Sequence, residues 1–141
     1  MNYKIIFSLL CLILCLSVYA SDDKFIEALK TCSSYHDSGT IQVEGMNATS
    51  VKQITGWHNN KCTYKESLNL GQVNANITCH FTRPQINEIA TVADAYFLTL
   101  KYSKDSVNTS SLETAQNNPL AAVFNKYLQD SSVCTIDGLM Q

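Results

Sequence analysis

Three kinds of residue in this chain have the chemistry to do work: histidines, acidic side chains and cysteines. The histidines are His36, His58 and His80. His36-Asp37-Ser38 puts a base, an acid and a nucleophile type in one run. A catalytic triad needs those groups to converge in space, and adjacent residues of a turn diverge. The run therefore reads as a polar turn. Neither a G-x-S-x-G elbow nor an H-x-x-x-H or H-E-x-x-H pair occurs, so the spacings of a nucleophile elbow and of a helical zinc site are missing. The sequence predicts no catalytic residues, no metal site and no cofactor.

Glu66 is the carboxylate of most interest. The alternation around it places it on an apolar strand face, where burial would raise its pKa and suit it to general acid work. It also lies near a hairpin tip, and the simpler expectation is that the face there runs past its covering helices into water. Trp57 and His58 stand where a strand meets a turn. Tryptophan is enriched at interaction hot spots and also fills cores, so these two are candidate binding residues set against a half-buried packing role.

Six cysteines are present, and two of them, Cys11 and Cys15, fall in an apolar N-terminal run. Lys4 followed by the uncharged stretch from Ile5 to Val18, and Val18-Tyr19-Ala20 before Ser21-Asp22-Asp23, have the form of a signal peptide over residues 1–20. Its removal from 141 residues leaves 121, a single domain over 21–141. Cys32, Cys62, Cys79 and Cys134 remain. An even count in an exported chain reads as two structural disulfides. All three pairings are open. Joining Cys62 to Cys79 within one hairpin leaves Cys32 for Cys134. The other two pairings staple the first helix and the C-terminal segment to the hairpin, one to each strand, and they better serve a sheet that needs a helical cover. The expected location is secreted or periplasmic, with no membrane insertion after cleavage.

Nine basic residues against twelve acidic ones follow the leader, with Arg83 the only arginine. No basic stripe exists, which argues against nucleic acid as a partner. Asn47, Asn76 and Asn108 each open an Asn-x-Ser/Thr sequon, of consequence only in a eukaryotic host.

The elements that must position these residues follow from periodicity. Phe25, Ala28, Leu29 and Cys32 recur at helical spacing, predicting a helix over 22–35 that ends at His36-Asp37-Ser38-Gly39. Thr40 to Glu44 is a short strand, and Thr49 to Trp57 a second with a bulge near Thr55-Gly56. Lys61 to Phe81 is a hairpin centred on Leu70-Gly71, its expected pairs being Leu68/Val73, Glu66/Ala75, Tyr64/Ile77 and Cys62/Cys79. Thr82-Arg83-Pro84-Gln85 opens a helix running to about Tyr102. Ser110 to Glu113 opens a short helical piece, and Asn118-Pro119 a further helix. The tail is expected to fray after Ile136.

The result is an α+β domain: an N-terminal helix, a four-stranded antiparallel meander, and two C-terminal helices packed on the sheet face that carries Cys62 and Cys79, with two disulfides. A helix followed by a meander resembles the layout of the cystatins. Gln42-Val43-Glu44-Gly45 falls one residue short of that family's Gln-x-Val-x-Gly, and the helical C-terminus departs from its pattern. The likeness covers about half the chain and carries no function over. The favoured role is a non-enzymatic exported domain that binds a protein or glycan. The alternative is a small secreted hydrolase with a site assembled from scattered residues such as Glu66 and His80, and a third possibility is a structural component that self-associates along a sheet edge.

Overall fold

The computed structural model describes residues 23–43, 46–102 and 118–138. The expected leader, Asn108 and the short helical piece at Ser110 to Glu113 lie outside them. The first helix, α1, spans Asp23–Thr31 and buries Phe25, Ile26 and Leu29. It is shorter than the periodicity predicts, because a Schellman turn closes it. The amide of Cys32 donates to the Leu29 carbonyl at 3.0 Å and that of Ser33 to Ala28 at 2.9 Å. Cys32 itself takes the left-handed conformation (φ 53°) that glycine usually supplies at this position.

Five antiparallel strands follow in a simple meander, β1-β2-β3-β4-β5. They are β1 Tyr35–Val43, β2 Met46–His58, β3 Lys61–Leu70, β4 Val73–Phe81 and β5 Cys134–Asp137. Two expectations are corrected. His36-Asp37-Ser38-Gly39 is not a turn but the first half of β1, which pairs with β2 without interruption from Tyr35↔Ile54 to Val43↔Met46. Nine consecutive pairs outweigh the local turn preference of Asp, Ser and Gly. The sheet has a fifth strand that the sequence did not predict, in the tail segment anchored by Cys134. Four residues are too few to show a period, and β5 is held in place by its pairing with β4 and by a disulfide.

The β3–β4 hairpin has the expected faces but a register displaced by two residues. Cys62 opposes Phe81, Tyr64 opposes Cys79, Glu66 opposes Ile77 and Leu68 opposes Ala75. The turn is Gly71-Gln72, closed by Leu70↔Val73. Gly71 has φ 68°, and the Asn69 Oδ1 accepts from its amide at 3.0 Å. An even displacement leaves each side chain on its expected face, and so the inward set survives the error. Cys62, Tyr64, Glu66 and Leu68 of β3 and Ala75, Ile77, Cys79 and Phe81 of β4 are all buried.

Two helices cover that face together with α1. Helix α2, Arg83–Tyr102, buries Ile86, Ile89 and Ala93. The Thr82 amide donates to the Gln85 side chain at 2.8 Å, half of a capping box. Helix α3, Pro119–Leu128, buries Leu120, Ala121, Val123, Phe124 and Tyr127. Asn118 caps it, accepting from the amides of Leu120 and Ala121. Phe25, Tyr64, Phe81, Phe124 and Tyr127 form a chain of ring contacts with centroids 5.5–6.5 Å apart. Each such pair contributes about 0.5–1.5 kcal/mol beyond its buried area.

The disulfides are Cys32–Cys62 and Cys79–Cys134. Of the three pairings open to the sequence, this is one of the two that tie the flanking segments to the hairpin. Both bridges fit an exported domain stabilised in an oxidising compartment. Among the described residues, no helix is long and apolar enough to cross a membrane.

Candidate functional site

The candidate site lies at one end of the sheet, where α1 stops and α2 begins. Trp57, the single tryptophan, reaches it because of a bulge. Register shifts between Ile54 and Gly56 of β2, with Gly56 at φ 107°. Before the bulge, Ala48, Ser50, Lys52 and Ile54 point inward. After it, Trp57 opposes Cys62 and lies on the helix side. The expected bulge is therefore present, and it decides where Trp57 points.

Trp57 is tied on two sides. Its Nε1 donates to the carbonyl of Thr31, the last residue of α1, at 3.3 Å. The Arg83 guanidinium lies over its ring, 4.2 Å from the centroid, and Nη1 donates to the Lys30 carbonyl at 3.1 Å. Both residues thus satisfy carbonyls at the open end of α1, where the helix dipole favours a cation. Trp57 still keeps 38 % of its surface exposed. Neighbouring Lys30 is neutralised by Asp94 and Glu27, each 2.7 Å away. Its pKa is raised, Asp94 being the largest cause. Arg83 pairs with no carboxylate among the described residues. His58 is exposed beside Trp57, at the head of a tight turn in which Asn59 and Asn60 have φ of 50° and 60°. Lys61 opposes His58 across that turn.

The second polar cluster is buried. Glu66 is 2 % exposed, which overturns the expectation that it lies in water near the hairpin tip. The core continues past it to Leu68. One carboxylate oxygen accepts from Ser50 Oγ at 2.8 Å and the other from the Tyr64 hydroxyl at 2.6 Å. Lys52, also buried, is the cross-strand neighbour of Glu66, and its Nζ sits 5.5 Å from the centre of the Phe25 ring. Burial, and then the adjacent Glu66, push the Tyr64 hydroxyl well above the usual phenol range.

The proposed hydrolytic pair does not meet. Glu66 points into the core, whereas His80 is on the opposite, exposed sheet face, its Nδ1 3.1 Å from Thr63 Oγ1. Strand alternation likewise separates His36 and Ser38 from Asp37. Among the described residues, no three His, Cys, Asp or Glu side chains gather where they could hold a metal ion. Asn76 is exposed on the outer face and accepts from Ser67 at 2.9 Å. Asn47 is exposed within β2.

Sequence reasoning missed Arg83 and Lys52. Arg83 has a signal, since the first residue of a helix adjoins whatever the chain packed just before it. Lys52 has none apart from the bulge, which reverses the face that Val51 suggests. No protein-family model, curated protein or solved structure matches the chain.

Proposed function

We propose that this chain is a non-enzymatic, exported, disulfide-stabilised domain that binds a protein partner through the Trp57–Arg83 corner, with His58 at its rim. The observation that carries the reading is the state of Trp57. It is more than one-third exposed, yet its ring and its N–H are both fixed by other groups of the domain. Tryptophan and arginine are the residue types that dominate interface energetics, and anchors held in one conformation lose less entropy on association. Arg83, which meets no carboxylate among the described residues, favours a partner that presents an acidic side chain beside an apolar contact. The separation of Glu66 from His80 across the sheet removes the main support for the hydrolase alternative.

The test is crosslinking and capture from the native host, with the oxidised domain as bait, comparing wild type with His58→Ala and Arg83→Ala. A stoichiometric partner weakened at least tenfold by Arg83→Ala, with the circular dichroism unchanged, supports the reading. Capture indifferent to both variants, or a blank from folded bait, refutes it.

A further inference from the structure

The two edges of the sheet are finished differently. On one side β5 covers only Asn76 to Cys79 of β4 and stops at Gly138, where a Cβ would come within 2.7 Å of the Asn74 carbonyl oxygen. The other edge is β1. It is nine residues long, pairs among the described residues only with β2, and keeps an unbroken register. Natural edge strands are blunted by proline, lysine, bulges or shortness. Tyr35-His36-Asp37-Ser38-Gly39-Thr40-Ile41-Gln42-Val43 has no proline, lysine or bulge, and its one blunting charge is Asp37, its only carboxylate, on the sheet face of Lys52. His36 to Thr40 are exposed without a break, including Asp37 and Gly39, whose neighbours Lys52 and Ser50 on β2 are buried. Both faces of β1 and its outer backbone edge are thus open along the middle of the strand.

We propose that β1 pairs antiparallel with β1 of a second copy of this chain, about a two-fold axis through Gly39, joining the two sheets into one. An isologous edge contact must be complementary to itself. A two-fold perpendicular to the sheet keeps the helices of both copies on one side and pairs only residues of like face. Centring on Gly39 is the register that engages the whole strand. It sets Tyr35 against Val43, His36 against Gln42, Asp37 against Ile41 and Ser38 against Thr40. No like charges meet. Centring on Asp37 would shorten the ladder and bring two carboxylates face to face, which is unfavourable. Gly39 lies on the axis, and a Cβ there meets nothing within 4 Å. The space for a crosslink is open.

The experiment uses the full chain expressed with its own leader and purified oxidised after export. Sedimentation equilibrium is expected to give twice the monomer mass. Ser38→Lys with Thr40→Lys brings lysines face to face and should yield a monomer of unchanged circular dichroism. Ser38→Glu with Thr40→Glu should do the same, and mixing the two variants should restore a one-to-one dimer. Directly opposed Cα atoms of antiparallel strands lie about 4.5–5.5 Å apart, within disulfide reach. Gly39→Cys should therefore form a dimer that persists on non-reducing gels, while Thr40→Cys, which faces Ser38, should not. A monomer at every concentration, a dimer unmoved by the lysine pair, mixed variants that stay apart, or Thr40→Cys crosslinking as readily as Gly39→Cys would each overturn the proposal.

Discussion

Replacing Glu66 tests whether the buried polar cluster holds the sheet together. The carboxylate is 2 % exposed and accepts from Ser50 and Tyr64. Hydrogen bonds to a charged group contribute roughly 1.5–3 kcal/mol each. Glu66→Ala removes both and leaves two buried hydroxyls to be satisfied anew. The expected loss is about 4 kcal/mol, a large share of the roughly 5–15 kcal/mol that holds a domain folded. Glu66→Gln keeps an acceptor and the volume, and the new amide can donate to a hydroxyl, so about 1–2 kcal/mol is expected. Tyr64→Phe removes one donor alone and should cost about 2 kcal/mol. Because Glu66 and Tyr64 share a bond, their losses should fail to add, with a coupling of about 1–3 kcal/mol. Urea unfolding of the oxidised protein, followed by Trp57 fluorescence, measures the three single variants and the Glu66→Ala, Tyr64→Phe double variant. A cost for Glu66→Ala below about 1 kcal/mol, or strict additivity with Tyr64→Phe, would refute the claim that this cluster is a coupled, satisfied network.

Other outcomes follow from the same structure. The folded-state pKa of Tyr64 is raised, so its linkage contribution is fully present below the unfolded value near pH 10 and is lost as pH rises toward the folded value. Stability should fall in that alkaline window by on the order of 1 kcal/mol per pH unit, and Tyr64→Phe should flatten the slope in urea melts taken across it. Asn118→Ala should cost about 1 kcal/mol by uncapping α3. Asn118→Asp should cost less or stabilise, since the Asn118 Nδ2 is buried with no hydrogen-bond partner among the described residues and a carboxylate suits a helix N-terminus; thermal melts distinguish the two. Removing the Cys79–Cys134 bridge by paired alanine substitution opens a closure of 55 residues. The chain-entropy model puts the loss at about 4 kcal/mol, and hydrogen exchange should show the Asn76 to Cys79 segment losing protection first as β5 detaches.

Much of the fold can be read from single residues. Alternation from Cys62 to Phe81 assigns the inward face correctly even where the register is wrong, because a displacement of two keeps parity. The register itself depends on where in the turn Gly71 sits, and a glycine marks a positive φ without saying which turn position uses it. Thr82 and Gln85 mark the start of α2, and Asn118-Pro119 the start of α3, because capping is a local act of named side chains. The misses are tertiary. His36-Asp37-Ser38-Gly39 carries every local turn signal and is still a strand, since β2 supplies a complete ladder beside it. Val51 suggests an inward face for odd positions of β2, but the bulge reverses parity, and Ser50 and Lys52 point inward instead. The burial of Glu66 depends on how far α1 and its Phe25 reach across the sheet, which no residue near Glu66 encodes.

The candidate site depends on these same devices. Cys32 ends α1 in a left-handed conformation and bonds to Cys62, the register partner of Trp57. Thr31, one residue before Cys32, receives the Trp57 N–H, and Lys30, two before it, receives Arg83. One disulfide, one bulge and one helix start therefore converge on two adjacent carbonyls. The Schellman turn satisfies the Ala28 and Leu29 carbonyls, and Arg83 and Trp57 take the next two, those of Lys30 and Thr31, so the corner completes the end of α1. A further effect is to hold an aromatic ring, and a guanidinium that meets no carboxylate among the described residues, at the surface in one geometry, and under the proposed function that fixed geometry would lower the ordering entropy of association.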